Sequence, residues 1–454
     1  MYGGGDMKIS IAGAGAGKTT AMANTIGELR SKMDSHLNIF CITFTNNAVS
    51  CIEKKLKQRY GVIPNNIIVS TIHSFLYQEF IKPYYYLLYG KHYERISTAE
   101  LPKEVIYRNA KIKRLEDKNI LHQTVIPERA KWVFVKKSDD RKIIKEKREV
   151  IKSTFKSYCG AVCIDEAQDM DSNMLEIVCA LHEMNVQIIM MGDPKQDLKG
   201  HKCLRTLAAQ YPDTVEYLNV CHRCPQKHLN LSNQIISAQE RQHSGKSTGR
   251  ITVWFENDKS GKELLSDGRF DLVYISQKQG IYETHGHETV RNIKMAICEE
   301  IEAAMRVSHP AVTELILRRG SYYLAEQLIE NYRSYADGPK AMRVTFKNEP
   351  LSDKKAYGRI INLLPKELTI VEPDRVVVNS IDSIKGQEGS NCLFILTADL
   401  AAYLFGDKND DTITKNRLYV ALTRSLDDLT ILITDGVKLK YGRNFILNFF
   451  EKVI

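Results

Sequence analysis

The segment ISIAGAGAGKTT at residues 9–20 constrains the fold of this chain more than any other feature. It begins with apolar, β-branched residues that predict a buried strand. The small residues from Ala12 to Gly17 allow backbone N–H groups to curve around an anion, and a helix beginning near Lys18 would direct its positive end at the same point. A strand, a glycine-rich turn and a helix in this order predict a phosphate-binding loop rather than an ordinary turn.

The residues of this loop have expected roles toward a nucleotide. Lys18 would reach the β- and γ-phosphates, and the Thr19 hydroxyl would ligate Mg²⁺. The first position of the usual pattern holds Ala12 in place of glycine. The expected nucleotide-binding residues of the loop are Ala12, Gly13, Ala14, Gly15, Ala16, Gly17, Lys18, Thr19 and Thr20.

The segment GAVCIDEAQDM at residues 160–170 supplies a second part of the same chemistry. Its short apolar run predicts a strand that ends in two adjacent carboxylates. Asp165 can hold the Mg²⁺ that bridges the phosphates, and Glu166 can orient and deprotonate the attacking water. Paired carboxylates are common on protein surfaces, but a pair that follows an apolar strand and an upstream GKT segment indicates phosphoryl transfer.

Length and composition exclude several classes of protein. At 454 residues the chain is long enough for about three domains. It contains no apolar run of about eighteen residues and no signal-peptide pattern, so we expect a cytoplasmic protein with no membrane contact. The ten cysteines are scattered, which predicts reduced thiols rather than a disulfide framework.

The net charge of +9 is concentrated in one stretch. Residues 81–157 contain 20 Lys and Arg against 10 Asp and Glu. Aromatic residues alternate with cations there, as in grooves that stack bases and follow a phosphate backbone. We expect Lys136 and Lys137 to contact DNA. A solvated helical face is the alternative, which the charge run KKSDDRKIIKEKREVIK at residues 136–152 would favour if taken alone.

Eight segments of the chain resemble, in order, the motifs of superfamily 1 helicases of the UvrD/Rep group. The match in the sixth segment, NVCHRC, is weaker than the others. The segments are AGAGAGKTT (12–20), CITFTNNAVSCIEKKL (41–56), STIHSF (70–75), IDEAQD (164–169), MGDPKQDLKG (191–200), NVCHRC (219–224), VVVNSIDSIKGQEGSNCLFIL (376–396) and NRLYVALTRSLDDLTIL (416–432).

The resemblance implies an α/β fold of two RecA-like P-loop domains in tandem, with ATP and Mg²⁺ between them. A basic helical 1B insertion and a reduced 2B-like insertion would interrupt the two domains. Residues 333–359 are polar and rich in turn-forming residues, which predicts a loop-rich region there. The expected boundaries are 1–79 and 158–212 for domain 1A, 80–157 for 1B, 213–317 and 371–454 for domain 2A, and 318–370 for the 2B-like insertion.

The resemblance also implies catalytic roles beyond Glu166. Arg424 would act as an arginine finger from the second domain, with Arg223 as its companion. Gln196 would sense the γ-phosphate. Glu388 and Tyr419 stand at positions where members of the family contact the nucleotide or pack in the cleft around it. Taken alone, Tyr419 is equally well explained as a buried core residue.

The strand-contacting positions of the family match Phe44, Asn46, Thr71 and His73. Other positions on the DNA side depart from the family. Lys199 and His201 stand where aromatic residues usually stack on bases, and Asp382 replaces a histidine. Single-stranded DNA binding is therefore expected, whereas the stepping mechanism has less support.

A cluster around residues 201–228 has a rival interpretation. The two residues Cys221 and Cys224 have the C-x-x-C spacing of metal ligands. No second close pair of cysteines exists, so a pair of small, half-buried thiols is the favoured interpretation. The other members of this cluster are His201, Cys203 and His228.

The sequence thus predicts an ATP-dependent translocase or helicase on single-stranded or partly duplex DNA, with 3′ to 5′ direction implied by the resemblance alone. The alternative is a DNA-activated ATPase that acts as a sensor or switch subunit. Compact chains of this kind resemble the helicase subunits of anti-phage systems such as Gabija, which work beside a separate nuclease. A non-catalytic DNA-binding module is disfavoured because the expected catalytic residues are present.

Overall fold

The computed structural model describes residues 7–102, 104–258, 263–264, 268–284, 287–347, 354–364 and 376–453. The chain divides into two compact units. The first unit comprises Met1–His92, Thr124–Lys278 and Asn379–Ile454. The second unit comprises Tyr93–Gln123 and Gln279–Val378.

The strands are short and rich in β-branched and apolar residues, as buried parallel strands usually are. They are β1 (Met7–Ala12), β2 (Asn38–Thr43), β3 (Ile67–Thr71), β4 (Arg95–Ser97), β5 (Ile120–His122), β6 (Cys159–Ile164), β7 (Gln187–Gly192), β8 (Val215–Leu218), β9 (Arg250–Phe255), β10 (Leu272–Ile275), β11 (Tyr282–Glu283), β12 (Val376–Val377), β13 (Asn379–Ser380), β14 (Gly389–Leu396) and β15 (Ser425–Ile433).

Helices alternate with these strands along most of the chain. They are α1 (Lys18–Lys32), α2 (Asn46–Tyr60), α3 (Ile72–Leu76), α4 (Lys82–Tyr89), α5 (Val105–Glu116), α6 (Ile126–Phe134), α7 (Lys142–Tyr158), α8 (Ser172–Glu183), α9 (Cys203–Gln210), α10 (Gln226–Asn233), α11 (His287–Ser308), α12 (Glu314–Tyr335), α13 (Gly338–Thr345), α14 (Lys354–Asn362), α15 (Ala398–Leu404), α16 (Ile413–Leu422), α17 (Asp435–Tyr441) and α18 (Arg443–Val453).

A six-stranded sheet forms the first half of the first unit. Its strand order is β3-β2-β6-β7-β1-β8, and every neighbouring pair is parallel. Helices α1 and α2 cover one face, where Met22, Ile26 and Leu56 are buried against the strands. A second cluster consists of aromatic rings, and in it the ring centres of Phe40 and Phe75 lie 5.2 Å apart. Because parallel strands share one carboxyl edge, the loops that follow β1, β2, β3, β6 and β7 meet at that edge.

A five-stranded parallel sheet lies in the same unit, in the order β13-β10-β14-β15-β9. Its core includes Phe394, Leu418 and Ile431, all fully buried. The predicted α/β fold with parallel sheets is confirmed. The assignment of this second sheet as a RecA-like domain stays a prediction.

The second unit is mainly helical. Its core lies among α11, α12, α13 and α14 and includes Ile297, Leu328, Met342 and Ile360. Residues 93–123 join this core through ion pairs with α11. Arg95 lies 2.7 Å from Glu302, and Glu300 pairs with both Arg114 and Arg359. Part of the predicted basic insertion at 80–157 therefore packs on α11, which the expected boundaries assign to domain 2A.

The prediction of a loop-rich region at 333–359 is wrong for the described residues. Helix α13 begins after Asp337, whose side chain accepts a hydrogen bond from the Lys340 backbone N–H, and Pro339 occupies its first turn. The helix then buries Ala341 and Met342. A capping aspartate and an early proline favour a helix start, which outweighed the polar composition. Residues 348–353 lie outside the described part of the chain.

Candidate active site

The phosphate loop joins β1 to α1. Gly15 and Gly17 have φ values of 69° and 75°, which side-chain-bearing residues rarely adopt. The turn is closed by a hydrogen bond of 3.2 Å from the Ala16 N–H to the Gly13 carbonyl. Helix α1 begins at Lys18, so its unpaired N–H groups lie at the loop. The Lys18 ammonium lies 3.4 Å from the Ala12 carbonyl oxygen.

The paired carboxylates lie at the end of β6, near Lys18. Asp165 is almost fully buried, and its carboxylate accepts a hydrogen bond of 3.0 Å from the Glu166 N–H. Burial and the Glu166 carboxylate raise the pKa of Asp165 to about 7. Burial also acts to raise the pKa of Glu166, but Lys18, Gln168 and Lys385 outweigh it and the net direction is downward. Glu166 is thus held as the carboxylate that a base requires.

This carboxyl edge fits a Mg²⁺–nucleotide. The raised pKa of Asp165 marks a buried carboxylate whose surroundings do not supply enough positive charge, and a divalent cation would supply it. Thr19 stands at the start of α1, where its hydroxyl would be the second protein ligand. Among the described residues no three His, Cys, Asp or Glu side chains form a metal site. Mg²⁺ characteristically takes few protein ligands and completes its shell with phosphate and water.

A hydrogen-bond network extends from Glu166 to the loop after β7. The Gln168 amide pairs with Glu166, and its oxygen accepts a bond of 2.8 Å from the Asp193 N–H. The Asp193 carboxylate accepts a hydrogen bond of 2.9 Å from the Gln196 amide and forms an ion pair with the Lys195 ammonium at 2.8 Å. The predicted sensor Gln196 is therefore connected to the predicted base through buried polar groups.

Two residues of this network were missed by sequence reasoning. Lys195 also pairs with Glu240 at 2.9 Å, and Gln242 donates a bond of 3.0 Å to the Ala14 carbonyl in the phosphate loop. Both Glu240 and Gln242 are buried. They lie after α10 in a segment that matches no motif, with Glu240 at the end of a one-turn 3-10 helix (Ala238–Glu240), so no local signal could have identified them.

The two predicted arginine fingers come from different sheets, since Arg223 follows β8 of the first sheet and Arg424 precedes β15 of the second. Arg223 forms an ion pair of 2.7 Å with Glu388. A Cβ atom on Gly15 would lie 2.4 Å from the Cβ of Arg223, so Arg223 packs directly against the phosphate loop and requires glycine there. Arg424 is fully buried and donates hydrogen bonds to the carbonyls of Val420 and Gln387.

Arg424 is also within electrostatic reach of Arg223. Burial lowers the pKa of Arg424, and the nearby Arg223 guanidinium acts in the same direction. The structure therefore brings Arg223, Glu388 and the phosphate loop together. In this structure Arg223 is paired with Glu388, and Arg424 is bonded to backbone carbonyl groups. Each guanidinium would therefore have to leave these partners in order to contact a phosphate.

Several expected DNA-contacting residues share the carboxyl edge of the first sheet. The Lys199 ammonium lies 6.0 Å from the centre of the Phe44 ring, after β2. Burial and then Lys199 lower the pKa of His73, which places His73 beside the same lysine. Thr71 caps α3 by accepting a bond from the Ser74 N–H, and Asn46 is exposed at the start of α2. Phe44, His73 and Lys199 thus form a small mixed aromatic and basic surface.

The two basic candidates from the charged stretch lie beside other groups. Lys136 is exposed and lies 3.2 Å from a Glu176 oxygen. The Lys137 ammonium lies over two aromatic rings, 4.8 Å from Tyr89 and 4.5 Å from Trp132. The alternation of aromatic and basic residues in the sequence therefore corresponds to cation–π contacts within the protein.

Asp382, which departs from the family pattern, has a structural partner. It accepts two hydrogen bonds from the Arg417 guanidinium, at 2.8 and 2.6 Å. A histidine at this position could not form that bidentate pair. Nearby, Lys385 pairs with Asp169, which links the loop before β14 to the loop after β6.

Comparisons with known proteins agree with this architecture. Residues 5–201 match the AAA_19 family model, described as an AAA domain. Over 197 residues the chain is 26% identical to Gabija protein GajB of Bacillus cereus (strain VD045), a match that covers 43% of this chain and 38% of that protein. The match thus spans well under half the length of this curated relative. The chain is similar to UvrD-like superfamily 1 helicases, and this similarity supports a nucleotide-dependent, helicase-like function. None of the helices in the described ranges is both long and apolar enough to cross a lipid bilayer.

Proposed function

We propose that this UvrD-like chain is an ATP-dependent single-stranded DNA translocase or helicase that moves in the 3′ to 5′ direction. One observation carries the proposal. Groups of the second sheet reach the phosphate loop of the first sheet, because Tyr419 on α16 accepts a hydrogen bond from the Ala14 N–H. Arg223, which pairs with Glu388 just before β14, packs on Gly15 of the same loop, and Lys18 faces Asp165 and Glu166. Such an arrangement makes hydrolysis depend on how the two sheets close, which is what coupling to movement requires.

The residues divide the chemistry as follows. Lys18 and the N–H groups of the phosphate loop hold the β- and γ-phosphates. Thr19 and Asp165 hold Mg²⁺, which supplies positive charge to the phosphates when bound. Glu166 takes a proton from the attacking water, and its lowered pKa keeps it ionised for that step. Arg223 and Arg424 stabilise the negative charge that develops on the transferred phosphoryl group.

Contacts between the two sheets offer a route for coupling. Lys385 pairs with Asp169, three residues after the base Glu166. Asn416 donates a hydrogen bond of 2.9 Å to the Asp197 carbonyl, close to the sensor Gln196 and to Lys199. A change at the γ-phosphate would therefore reach the surface formed by Phe44, His73 and Lys199. We expect this surface to hold single-stranded DNA in the cytoplasm.

A second candidate function is a DNA-activated ATPase that serves as a sensor subunit beside a separate nuclease. The ion pair between Arg223 and Glu388 favours it, because it keeps one finger away from the phosphate until something releases it. Similarity to a Gabija protein agrees with a defence role for this alternative. In this reading DNA stimulates hydrolysis, and little strand separation follows.

Two assays on the purified chain test the proposal. ATP hydrolysis is measured with and without single-stranded DNA, and strand displacement is measured on duplexes with either a 3′ or a 5′ tail. We expect DNA to stimulate hydrolysis and the 3′-tailed duplex to be unwound, with the Glu166→Gln variant inactive in both assays. Stimulation without displacement on either duplex would favour the sensor, and hydrolysis that ignores DNA would contradict both candidates.

A further inference from the structure

Cys221 and Cys224 flank Arg223 in the loop between β8 and α10, and the proposed mechanism assigns them no role. Both are almost fully buried, with exposed fractions of 1% and 0%. The Cys224 N–H donates a hydrogen bond of 3.3 Å to the Cys221 sulfur. The loop therefore folds back so that the two side chains lie on the same side, as in reactive C-x-x-C pairs.

This pair touches the proposed active site on both sides. A Cβ atom on Gly15 would lie 3.0 Å from the Cys221 sulfur, and the His222 N–H donates a bond of 2.9 Å to the Gly15 carbonyl. The Cys224 thiol lies 3.5 Å from the carbonyl oxygen of Thr423, which precedes Arg424. Any covalent change at these sulfurs would therefore act on the phosphate loop and on both arginines.

The two sulfurs are electrostatically unequal. A hydrogen bond from the Cys224 thiol lowers the pKa of Cys221 to about 6, and backbone N–H groups and the Arg223 guanidinium add to this effect against burial. The same hydrogen bond, together with burial, raises the pKa of Cys224. These shifts favour a thiolate at Cys221 beside a protonated thiol at Cys224, so Cys221 would be the nucleophile of the pair.

We propose that Cys221 and Cys224 form an oxidative modification site, at which a peroxide converts the pair into an intramolecular disulfide that switches nucleotide hydrolysis off. In the first step the Cys221 thiolate attacks a peroxide oxygen, the O–O bond breaks, and a sulfenic acid and a hydroxide ion are formed; the hydroxide takes a proton from solvent and becomes water. In the second step the Cys224 sulfur displaces the hydroxyl group from Cys221, which forms the S–S bond and releases a second water. The two thiols lose two electrons and the peroxide gains them.

The disulfide would inactivate the site because His222 and Arg223 lie inside the ring that it closes. Closing the ring removes the thiolate charge beside Arg223 and draws the two Cβ atoms to disulfide distance. Both effects disturb the packing of Arg223 on Gly15 and the bond from His222 to the Gly15 carbonyl. A thiol reductant reverses the modification by thiol–disulfide exchange.

Formation of the disulfide does not depend on the proposed function, but its effect on ATP hydrolysis does rest on that function. The experiment therefore measures the disulfide and the hydrolysis separately. The protein is treated with hydrogen peroxide, whose small size suits buried sulfurs. Peptide mapping by mass spectrometry then detects a Cys221–Cys224 linkage with the loss of two hydrogens. ATP hydrolysis is measured before treatment, after treatment and after dithiothreitol. We expect the linked peptide and a loss of hydrolysis of about tenfold or more, recovered on reduction.

Variants separate this site from general oxidation. Cys224→Ser removes the resolving thiol, so we expect a cyclic diketone probe, added as the peroxide-treated protein is unfolded, to trap Cys221 as a sulfenic acid. Cys51→Ser removes an exposed cysteine on α2 and should leave the oxidised-to-reduced activity ratio of the chain unchanged. Absence of the linked peptide under conditions that oxidise Cys51 would overturn the site. A linked protein with full hydrolysis would overturn the switch, whereas a reduced protein with no hydrolysis would instead contradict the proposed function.

Discussion

The hydroxyl of Tyr419 accepts a hydrogen bond of 3.0 Å from the backbone N–H of Ala14. It also donates a bond of 2.8 Å to Gln242, whose amide returns to the Ala14 carbonyl. These three residues form a closed, buried ring that joins α16 to the phosphate loop. The Ala14 N–H of the phosphate loop is therefore bonded to a residue that belongs with the second sheet. We infer that Tyr419 holds the loop in position for the nucleotide.

Removal of this hydroxyl is expected to weaken nucleotide binding. Tyr419→Phe keeps the ring but leaves the Ala14 N–H and the side-chain amide oxygen of Gln242 without this partner. A buried polar group without a partner costs about 1–3 kcal/mol. We therefore expect a lower thermal unfolding temperature and a KM for ATP raised by about three- to tenfold. Steady-state kinetics and thermal unfolding with and without ATP provide the measurement.

Tyr441→Phe is the matched control for this prediction. Tyr441 also loses a hydroxyl hydrogen bond, to Asp407, but that contact is exposed and lies on α17. We expect this control to change neither KM nor the stabilisation by ATP. Equal KM values for Tyr419→Phe and the unaltered protein would show that the ring holds the fold and not the loop.

Lys18→Ala and Glu166→Gln should fail at different steps. Loss of the Lys18 ammonium removes the cation that faces both carboxylates and the expected phosphates. We therefore expect nucleotide binding to be lost. Glu166→Gln keeps the shape of the side chain and removes the base, so binding should persist while hydrolysis falls by about 10²–10⁴. A fluorescent ATP analogue measures binding and phosphate release measures hydrolysis; unaltered hydrolysis in Glu166→Gln would refute its role.

The sequence predicted those parts of the site that depend on local order. The strand, turn and helix around Lys18 and the apolar strand before Asp165 are encoded within about a dozen residues each. Because parallel strands place their carboxyl ends together, the meeting of the two segments followed from the fold class. The parallel α/β fold itself was predicted on the same grounds.

Other features depend on contacts between distant segments. Glu240 and Gln242 belong to no motif and no periodic pattern, and their positions follow from how the segment after α10 packs on Lys195 and Ala14. The association of residues 93–123 with α11 depends on the partners that Glu300 and Glu302 find. Such pairings between distant residues cannot be predicted from the local composition of the chain.

Glu388→Gln should release Arg223 without removing its side chain. The pair is partly exposed, with 47% of the Glu388 side chain accessible, so its contribution is only about 0.2–1 kcal/mol. We therefore expect the KM for ATP to fall by no more than about fivefold. Kinetics at several ATP concentrations provide the test. A higher KM would show that Glu388 contacts the nucleotide itself, as the family resemblance implies.

Phe44→Ala should weaken single-stranded DNA binding. Phe44 is half-buried beside Lys199, and stacking of a base on an aromatic side chain contributes about 1–3 kcal/mol. The predicted loss of affinity is about five- to hundredfold. A fluorescence-anisotropy titration with labelled oligonucleotide measures it. Phe445→Ala, which truncates an exposed phenylalanine on α18, is the control, and equal affinities of the two variants would exclude stacking at Phe44.

The basic stretch should supply much of the non-specific DNA affinity. Each cation that neutralises a phosphate changes the salt slope of single-strand binding by about 0.7. We propose replacement of four cations by glutamine, namely Lys136, Lys137, Arg141 and Lys142. Lys136 already contacts Glu176, and Lys137 already contacts two aromatic rings, so both should contribute less to phosphate binding. We therefore expect the slope to change by about 1.4, the value for two phosphate contacts, rather than by about 2.8, the value for four.

Binding titrations at several salt concentrations measure this slope, and DNA-free hydrolysis is followed in parallel. A control variant removes four positive charges from α17 and α18, at Lys438, Lys440, Arg443 and Lys452. These residues lie outside the basic stretch, and two of them form exposed ion pairs. We expect the control to keep the slope of the unaltered protein, because net charge alone does not create phosphate contacts. Equal slopes in all three proteins would mean that the stretch is a solvated face or a surface for another protein, and the sensor function would then be favoured.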